Sequence, residues 1–185
     1  AFTITATGGS SNTKLNVLQD QVDNVSQLPF QSKNGRVVKI INTELSADTY
    51  WAKFVAEDGT SGRGYWAETV DPTKSQGLDQ STMPHELKNT ATNQFTFQKI
   101  TWTARLVGDN LTNSHPSFVG SKIEQAFFHN NRLGFLSRDN VSMSQSQDFY
   151  NFYHTSAQTV TDADPVDISC SAIRPAALHG IIPTT

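Results

Sequence analysis

The pattern of apolar and polar positions along the chain predicts mostly β-strands. In the first half, strand-like runs lie at residues 36–41, 49–57 and 64–70. Asn34-Gly35 and Asp58-Gly59 supply turn residues between these runs. The Gly-rich stretch SGRG at 61–64 lacks the Lys-Ser/Thr of a phosphate-binding loop, so we interpret it as a further hairpin loop. Together these runs predict a small sheet.

One segment near the start has a helical period instead. In the run SSNTKLNVLQDQVDNVSQLP, apolar residues recur at spacings of three and four, at Leu15, Leu18, Val22 and Val25. Ser11 or Asn12 is the candidate N-cap, and Pro29 closes the segment. We therefore predict one amphipathic helix that covers the small sheet.

The middle of the chain predicts a boundary between two domains. Residues 71–93 are polar, contain two prolines and show little periodicity, which indicates a loop region before a strand at 94–102. We predict an α+β domain at 1–91 and an all-β segment at 92–185.

The all-β segment contains a predicted hairpin. Its strands are expected at 123–137 and 141–146, with Arg138-Asp139-Asn140 at the turn. Alternation around the turn places four apolar side chains on one buried face, namely Leu133, Phe135, Val141 and Met143. A further alternating strand is predicted at 165–172, so the segment is expected to consist of antiparallel sheet modules joined by long loops.

The charge, the cysteine content and the apolar runs of the chain exclude some classes of protein. The chain has 14 Lys+Arg and 17 Asp+Glu residues, so its net charge is 14 − 17 = −3, and it has no cluster of basic residues. Tight binding of nucleic acid is therefore not expected. Cys170 is the single cysteine, which excludes an internal disulfide framework. The sequence has neither a bilayer-length apolar run nor a signal-peptide pattern. Because it lacks an initiator Met and stops at HGIIPTT, we expect a fragment of a longer polypeptide.

For the residues that could bind a metal or act in catalysis, the sequence pattern favours structural roles. Asp162, Asp164 and Asp167 offer oxygen ligands for calcium, yet no glycine or distal Glu completes a calcium loop, so a turn into a strand is favoured. The histidines form no metal-binding motif; they are His85, His115, His129, His154 and His179. We therefore expect no catalytic residue, no metal and no cofactor.

A carbohydrate-binding or carbohydrate-cleaving module is an alternative function that the tryptophans and several carboxylates leave open. Its stacking platforms would be Trp51, Trp66 and Trp102. Its paired carboxylates would be two among Glu68, Asp71 and Glu86, whose separation a sequence does not give. Tryptophans inside apparent strands are more often core residues.

Several motifs occur along the chain in a fixed order and spacing. They are TMPHEL (82–87), Trp102, Arg105, Gly108-Asp109, HPSFVG (115–120), NRLGFLSRDNVSMSQ (131–145), FYNF (149–152) and DADPVDISCS (162–171). The set covers the second half of the chain densely, and YWAET (65–69) extends it weakly into the first half. In order and spacing, the set resembles the tail nozzle family of short-tailed bacteriophages, the tail tubular protein B family. Under the alternative function, the carbohydrate module would belong to a phage receptor-binding protein.

The resemblance implies a structural virion protein rather than an enzyme. Members of this family are similar in forming homohexameric rings, built around a distorted β-propeller, through which DNA leaves the particle without tight binding. The implied partners are other copies of the chain, a tail adaptor and tail fibres, with no small-molecule substrate. The implied location is the virion tail, assembled in the cytoplasm of the bacterial host.

Six residues are the candidate structural or interface positions: Arg132, Phe135, Phe149, Tyr150, Phe152 and Tyr153. Aromatic side chains are enriched both in cores and at the centres of interfaces. Two roles therefore stay open for the aromatic cluster at 149–153, packing of its own domain and contact between subunits.

Overall fold

A computed structural model describes residues 20–44, 49–170 and 177–182. The chain packs as two compact units, Ala1–Ala67 and Glu68–Thr185. The division predicted after residue 91 lies within a hairpin of the second unit. As a boundary between independently folding domains, it stays a prediction.

The first unit contains a five-stranded sheet with the order β1-β3-β4-β5-β2. Its strands are β1 (Gln21–Val22), β2 (Gln31–Lys33), β3 (Val37–Ile40), β4 (Tyr50–Ala56) and β5 (Ser61–Thr69). β1 pairs parallel to β3, whereas β3–β4 and β2–β5 are antiparallel. The strands predicted in this half are confirmed. Val22, Val38, Ile40 and Ala52 of this sheet form a core with Leu28, which follows the 3-10 helix at Val25–Gln27.

The predicted N-terminal helix is not found. Its first part lies outside the described residues, and from Asp20 onward the chain forms β1 and a short 3-10 helix at Val25–Gln27. Val22 is buried in the sheet opposite Ile40, and the Asn24 side chain caps the 3-10 turn by accepting from the Ser26 amide at 2.8 Å. Pairing with β3 thus overrides a helical period, because propensity alone is a weak determinant. No helix in the described residues is long and apolar enough to cross a membrane.

The turn between β4 and β5 lies at Asp58-Gly59, one of the predicted turn positions, and it ends before the stretch SGRG. The Asp58 carboxylate accepts from the Thr60 amide at 2.8 Å, and Gly59 has a φ of +77°. The stretch SGRG is therefore not a loop but the first part of β5. Gly64 is required there because a Cβ would collide with the Val55 carbonyl of the neighbouring strand.

The second unit begins with a two-stranded hairpin. β6 (His85–Ala91) pairs antiparallel with β7 (Gln94–Lys99), and Asn93 in the connecting turn has a φ of 60°. The sequence predicted β7 but interpreted β6 as loop. The error has a physical cause, since the polar residues of β6 lack the apolar alternation that marks a half-buried strand.

A four-stranded antiparallel sheet follows, with the order β11-β10-β9-β8. Its strands are β8 (Gln125–His129), β9 (Arg132–Ser137), β10 (Asn140–Met143) and β11 (Val166–Ser169). The single strand predicted at 123–137 is in fact two, because Asn130 and Asn131 have φ values of 47° and 56°. Two adjacent positive φ values form the tight turn that joins twisted hairpin strands. Whether this sheet belongs to a β-propeller stays a prediction.

The predicted buried face of the β9–β10 hairpin is wrong. Ser142 lies opposite Phe135, whereas Val141 lies opposite Leu136 and Met143 opposite Gly134. The turn contains two residues rather than the three assumed, since Ser137 pairs with Asn140. A shift of one residue moves every side chain of a strand to the other face. Phe135 and Leu133 therefore share a face with buried serines of β10, and Val141 and Met143 lie on the other.

Candidate functional site

An aromatic core holds the second unit together. Phe135 on β9 is 1% exposed and lies 5.2 Å from the Phe118 ring and 5.4 Å from the Phe152 ring, measured between centroids. Trp102 completes the cluster at 6.1 Å from Phe135 and 5.9 Å from Phe152. These rings come from four separated parts of the sequence, so they fix the long loops onto the sheet.

The predicted aromatic cluster at 149–153 divides between core and surface. Phe152 and Tyr153 are buried, at 5% and 1% exposure, whereas Phe149 and Tyr150 are 38% and 37% exposed. The Phe149 ring packs edge to face on Phe128 at 5.0 Å. The structure thus assigns two of the four residues to the core. A role of any of them in contacts between subunits stays a prediction.

Tyr150 connects this cluster to the β6–β7 hairpin. Its hydroxyl donates to Glu86 Oε2 at 2.8 Å, and its ring meets Trp102 edge to face at 5.7 Å. The hydrogen bond from Tyr150, followed by that from Gln98, lowers the pKa of Glu86. The same bond raises the pKa of Tyr150.

Arg132 ties the β8–β9–β10 hairpins to a loop. Its guanidinium donates to the Ser144 and Asp164 carbonyls, each at 2.7 Å, and to the Asp162 carbonyl at 2.5 Å. The planar fork of arginine suits several acceptors at once. Arg132 therefore holds a loop against these strands, and a role in contacts between subunits stays a prediction.

Arg105 was missed as a structural residue. It is 0% exposed, and its guanidinium donates to the Ser75 carbonyl at 2.6 Å, the Asn113 carbonyl at 2.9 Å and the Asn110 side chain at 3.0 Å. A buried charge requires such hydrogen bonds. Nothing in the sequence pattern marks Arg105 as buried, since it lies in an irregular segment without alternation.

The buried Tyr153 and the half-buried His115 form a polar pair beside Arg105. The Tyr153 hydroxyl lies 2.6 Å from His115 Nδ1. Burial raises the pKa of Tyr153 to about 12, although the charge of Arg105 acts in the opposite direction. Burial, with a further contribution from Arg105, lowers the pKa of His115. Both groups are thus held neutral near pH 7.

Asp164 and Asp167 organise loops. Asp164 is 2% exposed and accepts from the backbone and hydroxyl of both Thr155 and Thr161. Burial alone would raise its pKa, but these hydrogen bonds outweigh burial and lower the pKa. Asp167 accepts from the Ser117 amide and hydroxyl and, at 2.8 Å, from Ser142 Oγ.

These contacts weigh against the calcium interpretation. A cation site needs carboxylate oxygens that converge on one point, whereas the oxygens of Asp164 and Asp167 face N–H and O–H donors. Within the described ranges, no three His, Cys, Asp or Glu side chains come together as a metal-binding group.

The carboxylates considered for sugar cleavage also make local contacts. Glu68 accepts from Ser156 Oγ at 3.1 Å, from the Ala157 amide at 2.8 Å and from Gln158 Nε2 at 2.5 Å. Asp71 accepts from the amide and the hydroxyl of Thr73, each at 2.8 Å. With Glu86 bound to Tyr150 and Gln98, all three carboxylates have structural partners.

The three tryptophans do not form exposed platforms. Trp102 is 5% exposed within the aromatic core. Trp66 is half-buried, packs on Phe54 at 5.2 Å and donates to the Pro29 carbonyl at 2.9 Å. Trp51 is half-buried beneath the Lys39 ammonium. No observation at these residues favours sugar binding.

Comparison with known proteins agrees with this structural character. The chain matches the bacteriophage nozzle protein family along residues 1–185. It is similar to the tail tubular protein gp12 of Escherichia phage T7, with 36% identity over 180 residues. This alignment covers 97% of the chain but 22% of the relative, so the chain spans about a fifth of the relative's length. The chain therefore belongs to the bacteriophage nozzle protein family.

Proposed function

We propose that this protein forms part of a homohexameric tail nozzle, a ring around a channel through which the phage genome leaves the particle. The observation that carries the proposal is family membership along the whole chain. As a member of that family, the chain is a structural component of a phage tail. The ring, the channel and the passage of DNA are the proposed part.

The side-chain contacts support a structural rather than an enzymatic role. Several charged side chains hold loops in place. Arg105 and Arg132 donate to backbone carbonyls. Asp164 and Glu68 accept from loop amides. Such clamps fix long connections without disulfides, and the single cysteine, Cys170, forms none. We infer a scaffold that acts without cofactor or small-molecule substrate.

The charge of the chain suits a conduit. Each phosphate that a protein neutralises releases counterions and adds affinity, so a wall with many cations would retain DNA. With a net charge of −3 and no Lys/Arg stripe, this segment has few such contacts to offer. Weak binding lets the genome slide. We propose the tail adaptor and tail fibres as further partners, with assembly in the bacterial cytoplasm.

Imaging and ejection kinetics test this function. A particle map at side-chain resolution should show six copies around a channel. Lysines introduced at acidic channel-facing positions of the complete protein should slow ejection, because they add phosphate contacts. The matched control carries the same number of lysines on the outer surface. Absence of a sixfold ring, or ejection at the wild-type rate with lysines verified in the channel, would refute the proposal.

A further inference from the structure

The β6–β7 hairpin turns an apolar face to solvent. Leu87 pairs with Phe97, and Phe95 shares their face because it lies two residues from Phe97 on the same strand. Leu87, Phe95 and Phe97 are 67%, 61% and 70% exposed. We name these three residues the hairpin stripe. His85 extends the same face and stacks on Phe97 at 5.3 Å.

The opposite, polar face is the one bound to the rest of the unit. Glu86 on that face accepts from Gln98 across the hairpin and from the Tyr150 hydroxyl. The hairpin stripe therefore points away from the contact with Tyr150. A two-stranded hairpin ordinarily gains its stability by packing its apolar face. Here that face is exposed.

The hairpin stripe has the size and surroundings of a protein contact. Three large side chains exposed by about two-thirds present roughly 300–400 Å² of apolar surface. A standard interface buries about 800 Å² on each partner, with an apolar centre and a polar rim. The hairpin tip at Thr92-Asn93 is polar, which is unsuited to insertion into a lipid layer. The stripe thus matches the centre of an interface between proteins.

A second uncovered patch lies elsewhere on the same unit. Phe128 and Phe149, whose rings are in contact, are 56% and 38% exposed. The exposed Asp148 precedes Phe149 and gives this patch a negative charge. The exposed Lys99 lies on the face of the hairpin stripe and gives that face a positive charge, although Asp79 of the same unit is within its electrostatic reach. The two patches are complementary in charge and alike in apolar character.

We propose that the hairpin stripe of one copy packs on Phe128 and Phe149 of the next copy, with Lys99 facing Asp148. This interface rests on the proposed ring. Closed rings with more than two members use head-to-tail contacts, in which two different surfaces of each copy meet. Such a ring covers both patches at every junction. An unrelated partner would cover one patch and leave the other exposed.

The first test uses Phe97→Thr in the complete protein, with ring formation followed by native mass spectrometry over a concentration series. Loss of a central interface aromatic should weaken assembly by about tenfold or more. Thr96→Ala, on the opposite face of the same strand, is the matched control and should assemble as wild type. Circular dichroism confirms that each variant is folded.

The second test is a charge exchange that does not depend on the stability of Phe97→Thr. Lys99→Glu and Asp148→Lys should each weaken the ring, and the double variant should recover most of the lost assembly. Lys74→Glu makes the same charge change at an exposed position of the same unit outside the hairpin and serves as the control.

The outcomes separate the interface from the function. A wild-type protein without rings would refute the proposed function. Wild-type rings that are unaffected by Phe97→Thr and by both single charge variants would overturn this interface alone. Binding of the wild type and of Phe97→Thr to lipid vesicles and to other tail proteins is measured alongside. If Phe97→Thr forms rings but loses one of these interactions, the interface is also overturned and the hairpin stripe is assigned to that partner.

Discussion

Replacement of Phe135 by Ala should remove much of the stability of the second unit. The side chain is 1% exposed and contacts the rings of Trp102, Phe118 and Phe152. Transfer of a buried Phe side chain to water accounts for about 2–3 kcal/mol. An unfilled cavity of ~50 Å³ adds about 1 kcal/mol at 24 cal/mol per Å³. Loss of the ring contacts brings the expected decrease in the free energy of unfolding to about 3–5 kcal/mol.

Urea denaturation followed by tryptophan fluorescence measures this loss, since Trp102 lies 6.1 Å from Phe135 and reports on the same core. Leu111→Ala is the control, because Leu111 is a large apolar residue of the same unit that is 79% exposed. The control should lose less than about 1 kcal/mol. If Phe135→Ala also lost less than about 1 kcal/mol, the assignment of Phe135 to the centre of the core would be refuted.

Two further predictions concern the loop clamps. Arg132→Lys should lower the free energy of unfolding by about 1–3 kcal/mol, because one ammonium cannot reach all three carbonyls. Arg63→Lys, at an exposed strand position, is the control and should be nearly neutral. Urea denaturation measures both variants. Asp164 has a folded-state pKa below its unfolded value, so its stabilisation is present above about pH 4 and is lost as pH falls through the folded pKa. Asp164→Asn should therefore be less stable than wild type at pH 7, and the difference should shrink below about pH 4; a difference that stays constant down to pH 2 would contradict this role.

The stability of the second unit depends on contacts that join distant parts of the chain. Asp167 on β11 accepts from Ser117 in a loop and from Ser142 on β10, and Arg132 on β9 reaches the carbonyls of Asp162 and Asp164. Hydrogen bonds with charged partners are stronger than neutral ones. They hold the long loops, which have little regular structure, against the sheet.

Local signals in the sequence predicted much of the sheet structure. β10 and β11 follow from alternation, β3 and β4 follow from strand-favouring runs between turn residues, and Gly59 marks a turn that requires a positive φ. The aromatic content at 149–153 indicated a packing role in the core or at an interface, and Phe152 and Tyr153 are buried. The collinear motifs pointed to the nozzle family, which the comparisons confirmed. These features depend on neighbouring residues or on motif order, which a sequence contains directly.

Long-range pairing decided what the sequence left open or predicted wrongly. β1 replaced the expected helical turn because Val22 pairs beside Ile40. Ser142 and Ser144 became buried because the β9–β10 turn has two residues, and their hydroxyls find partners in Asp167 and the Gln145 carbonyl.

Tertiary contacts also decided the burial of one charged side chain and the exposure of two aromatic ones. The burial of Arg105 depends on carbonyls supplied by residues as distant as Ser75, and the exposure of Phe95 and Phe97 depends on which face of the hairpin binds Tyr150. A sequence pattern gives the period of a strand, but the face that is buried is set by register and by partners far along the chain. For this protein, composition and alternation determined a polar, mainly β scaffold, while tertiary contacts determined its core, its clamps and its uncovered surfaces.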